Sequence, residues 1–517
     1  MAVRLPACAS VHVNPTQAEM RVLALGEMPR ITETEFGNLS YESEVTARLK
    51  NSTFFVTDTE NHQNRISSVD AARWAELQDE YIVDKDMILL TGYIGPDAGF
   101  QTGCELFIES SNANIPGMQQ QLFFPADGKW EREFTVIYTP GLSAPGMPDD
   151  RLIMVDLENY VTRVIGSDYF GESKMGQLRM WNHLIFNRGG LALHSGLKVF
   201  PADQNPNGVE QSALIIGLSG TGKTTTTFRQ QLGSLPVQDD FVALMPGGEV
   251  YASENGCFAK AYGLDADDEP TIHGGTVRSD AWLENVAVSS EGVVDFFDTS
   301  YTANGRSTFP LENIRHRDPK DVPRANFLLI LNRQDRITPA VAKLRRDQIA
   351  GYFMLGETKG TSAGGKAEAG KNLRVPGTNP FFFDDDAMQA NRLMDLLETM
   401  PALQAYVMST GRVGGDEDIE GSKKIRIPHS SAIVQGIVEG TIEWVDDPEF
   451  GYQVAASVPG IDDPELLQPS KLYERQGRGA EYSDLVIKLK EERNEYLAGY
   501  PALDPSIPEG ILPLALR

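Results

Sequence analysis

Residues 213–226, ALIIGLSGTGKTTT, decide the fold of this chain. The apolar start of this stretch predicts a β-strand that enters a glycine-rich turn and continues as a helix. Gly217, Gly222, Lys223 and Thr224 fill the phosphate-loop pattern G-x-x-x-x-G-K-[ST]. Glycines let successive backbone N–H groups point at one anion, and a helix start adds further free N–H groups. The stretch therefore predicts an α/β fold with a nucleotide site. In that site Lys223 contacts the outer phosphates, and the Thr224 hydroxyl binds a Mg²⁺ ion.

The whole loop is expected to surround the phosphates. Its members are Gly217, Leu218, Ser219, Gly220, Thr221, Gly222, Lys223, Thr224 and Thr225. Asp239 follows Lys223 by sixteen positions (239 − 223), and Asp240 stands beside it. A carboxylate near the loop is what a nucleotide-bound divalent cation needs. The pair is also compatible with a solvated acidic turn, since acidic pairs are common in so acidic a chain.

Composition limits the partners of this protein. The chain has 517 residues, 41% of them hydrophobic, and a formal net charge of −27. Such a length predicts two or three domains. Nucleic acid and anionic membranes both require a basic face, so the charge argues against both as partners. A nucleotide and a small anionic substrate must instead be held by a local cationic pocket.

Cysteine usage indicates the compartment. Cys8, Cys104 and Cys257 are widely spaced and odd in number, which is typical of reduced thiols in a cytosolic protein. The first fifteen residues contain no apolar core of a signal peptide. The longest apolar runs have strand length, far below a membrane span. We therefore expect a cytoplasmic protein without membrane attachment.

Several stretches resemble the ATP-dependent phosphoenolpyruvate carboxykinases. The phosphate loop and its close acidic pair carry the resemblance first, and it extends over most of the chain. The further matching stretches are 254–270 (ENGCFAKAYGLDADDEP), 283–288 (LENVAV), 304–310 (NGRSTFP), 338–344 (TPAVAKL), 356–365 (GETKGTSAGG) and 409–415 (STGRVGG). The resemblance implies a two-domain α/β fold, with an N-terminal substrate domain (1–189) and a nucleotide domain (190–517). Residues 357–378, rich in Gly, Ser, Thr and Lys, match the mobile lid of that fold.

The resemblance also implies a role for individual residues. On the substrate side, Arg48 matches the oxaloacetate-binding arginine, and Arg306 the arginine that bridges substrate and γ-phosphate. Lys174 matches the first of two paired lysines. The metal-binding histidine and aspartate fall on His194 and Asp240, with Asp239 beside them. The remaining nucleotide-site positions fall on Lys260, Glu269, Lys424 and Ser430. The implied cofactors are ATP, Mg²⁺ and Mn²⁺.

Three departures from the family pattern lie at the substrate end. Met175 stands where the second, metal-ligating lysine is expected, and a thioether is a poor ligand for Mg²⁺ or Mn²⁺. The aromatic residue beside the substrate falls on Phe170 instead of a tyrosine, and the loop between that aromatic and the following glycine is one residue shorter. The family sequence H-C-S-A-N after the metal histidine reads HSGLK here, from His194. Either Lys174 replaces the missing lysine, or the second metal site is weaker or differently used.

Three functions remain open from the sequence. The first is conversion of oxaloacetate and ATP to phosphoenolpyruvate, ADP and CO₂, by a monomer or small homo-oligomer. The second is a kinase on the same fold that phosphorylates a different hydroxyl, on a metabolite or a protein. The third is a nucleotide-binding regulator without chemistry. The retained Lys223, Asp240 and Arg306 argue against the third, and Arg48 favours the first.

Overall fold

The computed structural model describes residues 4–218, 220–359 and 371–511. Within them, the chain up to residue 189 contains four helices and eleven strands. The helices are α1 (Gln17–Glu27), α2 (Ser68–Ile82), α3 (Asn114–Leu122) and α4 (Phe170–Asn187). The strands are β1 (Ser10–Val13), β2 (Ile31–Glu33), β3 (Leu39–Tyr41), β4 (Thr53–Val56), β5 (Arg65–Ile66), β6 (Asp86–Ile94), β7 (Thr102–Glu109), β8 (Phe124–Pro125), β9 (Phe134–Thr139), β10 (Leu152–Asp156) and β11 (Val161–Ile165).

Nine of these strands form one mixed sheet. Their order is β1-β6-β7-β9-β11-β10-β4-β5, with β8 paired to β6. The central strands β7 and β9 are buried along their whole length, whereas the edge strand β1 is exposed. Strands covered on both faces require apolar side chains on both, which explains the near-continuous apolar runs of β7 and β9.

The chain after residue 189 contains the strands of the second large sheet and further strands of smaller sheets. Its strands are β12 (Leu191–Phe200), β13 (Gln211–Ile216), β14 (Leu235–Gln238), β15 (Phe241–Leu244), β16 (Val250–Ala252), β17 (Gly256–Lys260), β18 (Trp282–Glu284), β19 (Ala287–Val288), β20 (Val294–Asp295), β21 (Arg306–Pro310), β22 (Ala325–Asn332), β23 (Val341–Lys343), β24 (Glu357–Lys359), β25 (Asn372–Arg374), β26 (Gln404–Ser409), β27 (Arg412–Val413), β28 (Lys423–Lys424), β29 (Glu443–Asp446) and β30 (Gln453–Ser457). Its helices are α5 (Lys223–Phe228), α6 (Pro270–Thr276), α7 (Ile349–Leu355), α8 (Ala387–Glu398), α9 (Ile427–Glu439), α10 (Pro464–Leu467), α11 (Pro469–Arg475), α12 (Gly479–Ala498) and α13 (Ser506–Ile511).

The strand, turn and helix predicted for residues 213–226 are confirmed as β13, a loop and α5. The second sheet has ten strands in the order β16-β15-β12-β13-β22-β26-β23-β30-β29, with β14 paired to β12. Strands β13, β22 and β26 are parallel neighbours. Ligands of such sheets bind at the carboxyl ends of the strands, which is where the phosphate loop leaves β13. The α/β class predicted from the sequence is confirmed.

A third sheet contains strands from both sides of residue 189. Its order is β17-β21-β18-β3-β2, so the short strand β3 pairs with β18, some 240 positions later, as in the register Leu39 with Trp282, and β2 pairs with β3 at the edge. The division into domains 1–189 and 190–517 stays a prediction, because this sheet connects the two segments.

Helix α4 lies between the two large sheets. It contacts β9, β10 and β11 of the first sheet and β12 of the second. Most of its residues are buried, including Lys174 and Met175 in its second turn. Because α4 is buried on nearly all sides, its polar side chains are held in place. Lys174 therefore lies at the junction of the two large sheets. Among the described helices, none combines the length and the apolar character needed to cross a bilayer.

Candidate active site

The phosphate loop has the backbone that its glycines predict. Gly220 and Gly222 both have φ near +86°, in the left-handed region that glycine adopts without strain. A Cβ at Gly217 would come 2.3 Å from the Thr221 hydroxyl. That hydroxyl donates to the Leu218 carbonyl at 2.7 Å and closes the loop. Ser219, predicted as part of this loop, lies outside the described residues.

One cleft between the sheets is lined by most of the predicted site residues. They are Arg48, Lys174, His194, Leu218, Gly220, Gly222, Lys223, Thr224, Thr225, Asp239, Asp240, Lys260, Glu269 and Arg306. Segments separated by more than 250 positions thus meet in one place. Gly217 and Thr221 are not part of this lining, although Thr221 lines a neighbouring groove.

The Asp240 carboxylate is the centre of the cleft's polar network. Its Oδ1 lies 2.9 Å from Nε2 of His194 and 3.1 Å from Nζ of Lys223. Its Oδ2 lies 2.7 Å from Nζ of Lys174. The register of β12 and β15 explains the first contact, because His194 pairs with Phe241, the residue that follows Asp240. The predicted proximity of His194 and Asp240 is therefore found in the structure.

Burial and mutual charge shift the pKa values in this network. Burial alone would raise the pKa of Asp240, but Lys174, Lys223 and His194 hold it well below its usual value. Burial alone would lower the pKa of Lys174, but Asp240 and Glu254 raise it above its usual value. Burial and Lys223 lower the pKa of His194. The network thus contains an ionised aspartate held by two ammonium groups, and beside it an imidazole whose pKa is lowered.

The tautomer of His194 is set by its other nitrogen. Nδ1 lies 2.8 Å from the Thr378 carbonyl, to which it can only donate. The neutral ring then presents the lone pair of Nε2 towards Asp240. An imidazole lone pair facing a carboxylate is an arrangement that a divalent cation between them would complete.

Asp239 supplies a further oxygen for a cation. Its Oδ1 is buried and has no hydrogen-bond partner among the described residues. Burial and the adjacent Asp240 raise the pKa of Asp239 to about 6. Together with the Thr224 hydroxyl in the cleft, this nitrogen and oxygen donor set suits Mg²⁺ or Mn²⁺. No group of three or more His, Cys, Asp or Glu side chains suited to a metal occurs within the described residues, so the site would draw on Thr224 or the nucleotide as well.

Lys174 and Met175 occupy different surroundings. The Lys174 ammonium is bound to Glu254 at 2.8 Å as well as to Asp240. Met175 also lines the cleft, but it packs in an apolar group with Val45 and Tyr169. Of these two neighbouring residues, Lys174 therefore supplies an ammonium group to Asp240, and Met175 does not.

The aromatic residue on the cleft differs from the one expected. Phe170 is fully buried and meets the Phe258 ring edge-on, with centroids 5.1 Å apart. Tyr169 lines the cleft instead, and its hydroxyl accepts from the Asn304 amide at 3.4 Å. Helix α4 begins at Phe170, and its ring is turned into the core.

Two arginines stand on the substrate side of the cleft. The Arg48 guanidinium lies 5.6 Å from the centre of the Phe381 ring. The Arg306 guanidinium lies 5.2 Å from the centre of the Phe258 ring, and its buried Nε has no hydrogen-bond partner among the described residues. Aromatic faces orient a guanidinium, and the unpartnered Nε of Arg306 is available for an anion.

The nucleotide-side residues divide between two neighbouring surfaces. Glu269 accepts from the Thr225 hydroxyl at 2.5 Å, and Lys260 lies 5.0 Å from the centre of the Tyr262 ring. Lys424 and Ser430 line a separate groove on the other side of the loop. The groove shares Gly220, Gly222 and Thr225 with the cleft, so the phosphate loop separates the two surfaces.

Residues 357–378, expected as a lid, are described only at their two ends. There β24 and β25 pair antiparallel, and Lys359 lines the cleft. Lys359 contacts the carboxylates of Asp335 and Asp416. Residues 360–370 lie outside the described part of the chain.

Several residues in or beside the cleft were not predicted from the sequence. The cleft is lined by Tyr169, Phe258, Lys359 and Phe381, the adjoining groove by Arg333, and Glu254 contacts Lys174. Arg333 follows the carboxyl end of β22, and its guanidinium donates to the Gly220 carbonyl at a distance of 2.8 Å. Its place just after an apolar run that predicts a strand was a usable signal. Glu254 gave no signal, because only the fold brings it to Lys174.

Most of this chain is similar to known proteins of one family. A protein-family model described as phosphoenolpyruvate carboxykinase matches residues 9–464. A phosphoenolpyruvate carboxykinase (ATP) of Aeropyrum pernix is 30% identical over 405 residues, covering 77% of this chain and 78% of the relative. The enzyme of the same name from Oceanobacillus iheyensis is 29% identical over 442 residues, covering 80% of this chain and 79% of the relative.

Proposed function

The chain belongs to the phosphoenolpyruvate carboxykinase family and is an enzyme of the ATP-dependent type; from this premise we propose that it converts oxaloacetate and ATP to phosphoenolpyruvate, ADP and CO₂. The observation that carries the proposal is the meeting of His194, Lys174 and Lys223 on one Asp240 carboxylate, in a cleft that Arg48 and Arg306 also line. Such a cleft brings a phosphate-binding loop and a dicarboxylate-binding surface together.

Arg48 and Arg306 are proposed to hold the acceptor. Guanidinium groups bind carboxylate and phosphate oxygens in pairs of parallel hydrogen bonds. The unpartnered Nε of Arg306 is available for an anion that enters the cleft. Holding the acceptor next to the triphosphate raises the effective concentration of the two reactants.

The phosphate loop and Lys223 are proposed to orient the triphosphate. Loop N–H groups and the Lys223 ammonium neutralise charge on the transferring phosphoryl group, which is the main task in such reactions. Lys260 and Glu269 would support the nucleotide from the same cleft, and Lys424 and Ser430 from the adjoining groove.

His194, Asp240, Asp239 and Thr224 are the residues that would hold divalent cations. Bound Mg²⁺ or Mn²⁺ would supply charge neutralisation at the phosphates and polarise an oxygen of the acceptor. The chain prepares this by fixing the lone pair of His194 through Thr378 and by keeping Asp240 ionised. We propose that Lys174 stands in for the lysine that Met175 replaces, because it already contacts Asp240.

The proposed reaction balances without a protein-bound intermediate. The bond between C3 of oxaloacetate and its departing carboxylate breaks, CO₂ leaves, and the electron pair forms the enolate of pyruvate. The enolate oxygen attacks the γ-phosphorus, the bond to the bridging oxygen breaks, and ADP leaves. Water would protonate the enolate, so it must be excluded. Met175, Tyr169 and Phe381 give this part of the cleft an apolar wall that supports the exclusion.

The test is product analysis with purified protein, ATP, Mn²⁺ and oxaloacetate. We expect phosphoenolpyruvate and ADP in equal amounts, and none of either above background with Lys223→Ala. ATP consumption without phosphoenolpyruvate would overturn the proposal. In that case labelled ATP with a panel of metabolites would identify the hydroxyl that accepts the phosphoryl group.

The remaining aspects of the proposal concern the whole protein. We propose a cytoplasmic enzyme, monomeric or a small homo-oligomer, with a substrate domain at 1–189, a nucleotide domain at 190–517 and a lid near 357–378. The three unpaired cysteines, Cys8, Cys104 and Cys257, are compatible with a reducing compartment.

A further inference from the structure

Lys198 is a fully buried lysine behind the phosphate loop. It stands on β12 with 0% of its surface exposed. Its ammonium donates to the backbone carbonyls of Thr226 and Arg229, at 2.9 and 2.6 Å, and to Oε1 of Gln231 at 2.5 Å. The carbonyls belong to the last turn of α5 and to the residue that ends it.

The surroundings of Lys198 are built for a charged ammonium. Three acceptors need three N–H donors, which an ammonium has and a neutral amine lacks. Burial lowers the pKa of Lys198 to about 7, which reflects how costly a cation is at this position. The carbonyl end of a helix offsets part of that cost, because it carries partial negative charge.

Strand β12 carries Lys198 and His194 on the same face, since they are four positions apart. Between them, a Cβ at Gly196 would come 1.9 Å from the Thr227 hydroxyl. Helix α5 therefore rests directly on β12 at Gly196. Its first residue, Lys223, faces Asp240 and His194, and its last turn is bound to Lys198.

Helix α5 is held in position by contacts with other parts of the protein. It has only six residues, and short helices gain little from their own hydrogen bonds. The last four carbonyls of any helix lack partners within it. Lys198 satisfies carbonyls there, and the Thr227 hydroxyl donates to the Lys223 carbonyl at 2.8 Å. A shift of the carbonyl end would move Lys223 and the loop with it.

We infer that Lys198 is a positioning residue for the nucleotide, holding α5 against β12 so that the phosphate loop keeps its ligand-binding shape. The inference rests on the proposed ATP site and extends it to a residue that does not touch the ligand. It concerns the affinity for the nucleotide and leaves the acceptor side, with Arg48 and Arg306, unaffected.

The test compares Lys198→Met with Val199→Ala. Methionine keeps length and apolar volume but removes the cation. Val199 is buried on the same strand and faces the opposite side, so its truncation reports general destabilisation of β12. The readouts are the dissociation constant of Mg-ATP, the KM for oxaloacetate and the melting temperature.

We expect Lys198→Met to weaken Mg-ATP binding about tenfold, the size typical of residues that support a ligand-binding group from behind. The KM for oxaloacetate should change less than about threefold in both variants, and Val199→Ala should bind Mg-ATP as the wild type does. Equal Mg-ATP affinity of wild type and Lys198→Met would overturn the inference. A parallel loss of both affinities, matched by Val199→Ala, would overturn it as well.

A milder variant covers the case in which Lys198→Met does not fold. Lys198→Gln retains an N–H donor, and we expect it to weaken Mg-ATP binding by at least about threefold; wild-type affinity would refute the inference. Wild-type protein that fails to bind Mg-ATP would refute the proposed function and this inference together. Wild-type binding combined with an unaffected Lys198 variant would refute the inference alone.

Discussion

The Lys174–Met175 pair exchanges the roles that the family resemblance would assign. Lys174 contacts both Asp240 and Glu254, whereas Met175 packs with Val45 and Tyr169. A thioether cannot provide the charge or the hard donor that the Asp240 centre uses. Lys174 and Lys223 thus supply the two ammonium groups at the Asp240 centre, and Met175 supplies none.

This arrangement predicts the effect of restoring the missing lysine. Met175→Lys should not increase phosphoenolpyruvate formation. The new ammonium would lie among apolar neighbours, and the Asp240 carboxylate is already bound by the Lys174 ammonium. Burying a charge without a partner costs several kcal/mol, so the melting temperature should fall. Steady-state rates and thermal unfolding of the variant measure both effects. A gain in kcat would mean that Lys174 does not replace the missing lysine.

At the scale of elements, an ion cluster ties β24 and β25 to the long helix α12. Arg493 contacts Glu357 at 2.7 Å, and Arg374 contacts it at 2.8 Å. Asn332 donates to the same carboxylate at 2.9 Å. Both Glu357 and Arg493 are buried. The cluster thus anchors both ends of residues 357–378 to the nucleotide-side sheet and the C-terminal helices.

The cluster predicts a loss of stability in Glu357→Gln. Removing one partner of a buried ion pair typically costs about 3–5 kcal/mol, because the other charge stays buried. Urea unfolding at neutral pH measures this loss. Glu492→Gln is the control, because its pair with Lys488 is an exposed contact of 3.8 Å on α12 and should contribute less than about 0.5 kcal/mol. Equal unfolding midpoints of Glu357→Gln and wild type would contradict the role of the cluster.

The same carboxylate predicts a pH dependence. Burial alone would raise the pKa of Glu357, but Arg493 and Arg374 lower it to about 2. A depressed pKa adds stability that is complete above the unfolded value of 4.5 and is lost as pH falls towards 2. The difference in unfolding free energy between wild type and Glu357→Gln should therefore shrink as pH falls below about 4.5. A constant difference down to pH 3 would be inconsistent with that shift.

Local patterns predicted the elements that carry the phosphate site, and the fold supplied the rest. The apolar run and glycines of 213–226 predicted β13, the loop and α5, because backbone requirements there are local. Glu254 could not be assigned, since its role depends on a contact with α4, 80 positions earlier in the chain. Tyr169 was missed because it is adjacent in sequence to Phe170, and only the start of α4 at Phe170 decides which of the two rings faces the cleft.

At the scale of the whole molecule, a chain of net charge −27 gathers cations in one cleft. They are Arg48, Lys174, Lys223, Lys260, Arg306 and Lys359. The surface charge keeps the protein soluble and says little about the site. Local cations therefore carry the attraction for two anionic reactants.

The cleft predicts that nucleotide stabilises the whole protein. Mg-ATP at a hundred times its dissociation constant should raise the free energy of unfolding by about 2.7 kcal/mol, because it binds the folded protein and not the unfolded chain. The melting temperature of the wild type should rise by a few degrees, and that of Lys223→Met should not change. An equal rise in both proteins would place ATP at a site that does not involve Lys223.

Exchange of radiolabelled CO₂ into oxaloacetate tests whether this cleft carries out a carboxykinase reaction. The exchange requires the bond between C3 and the carboxylate to break and re-form, and its dependence on nucleotide links that step to the phosphate loop. We predict that purified protein with Mn²⁺ and ATP incorporates label into oxaloacetate, that omission of nucleotide abolishes incorporation, and that Lys223→Met abolishes it too. Absence of label from oxaloacetate while ATP is still consumed would contradict the assignment of a carboxykinase reaction to this cleft.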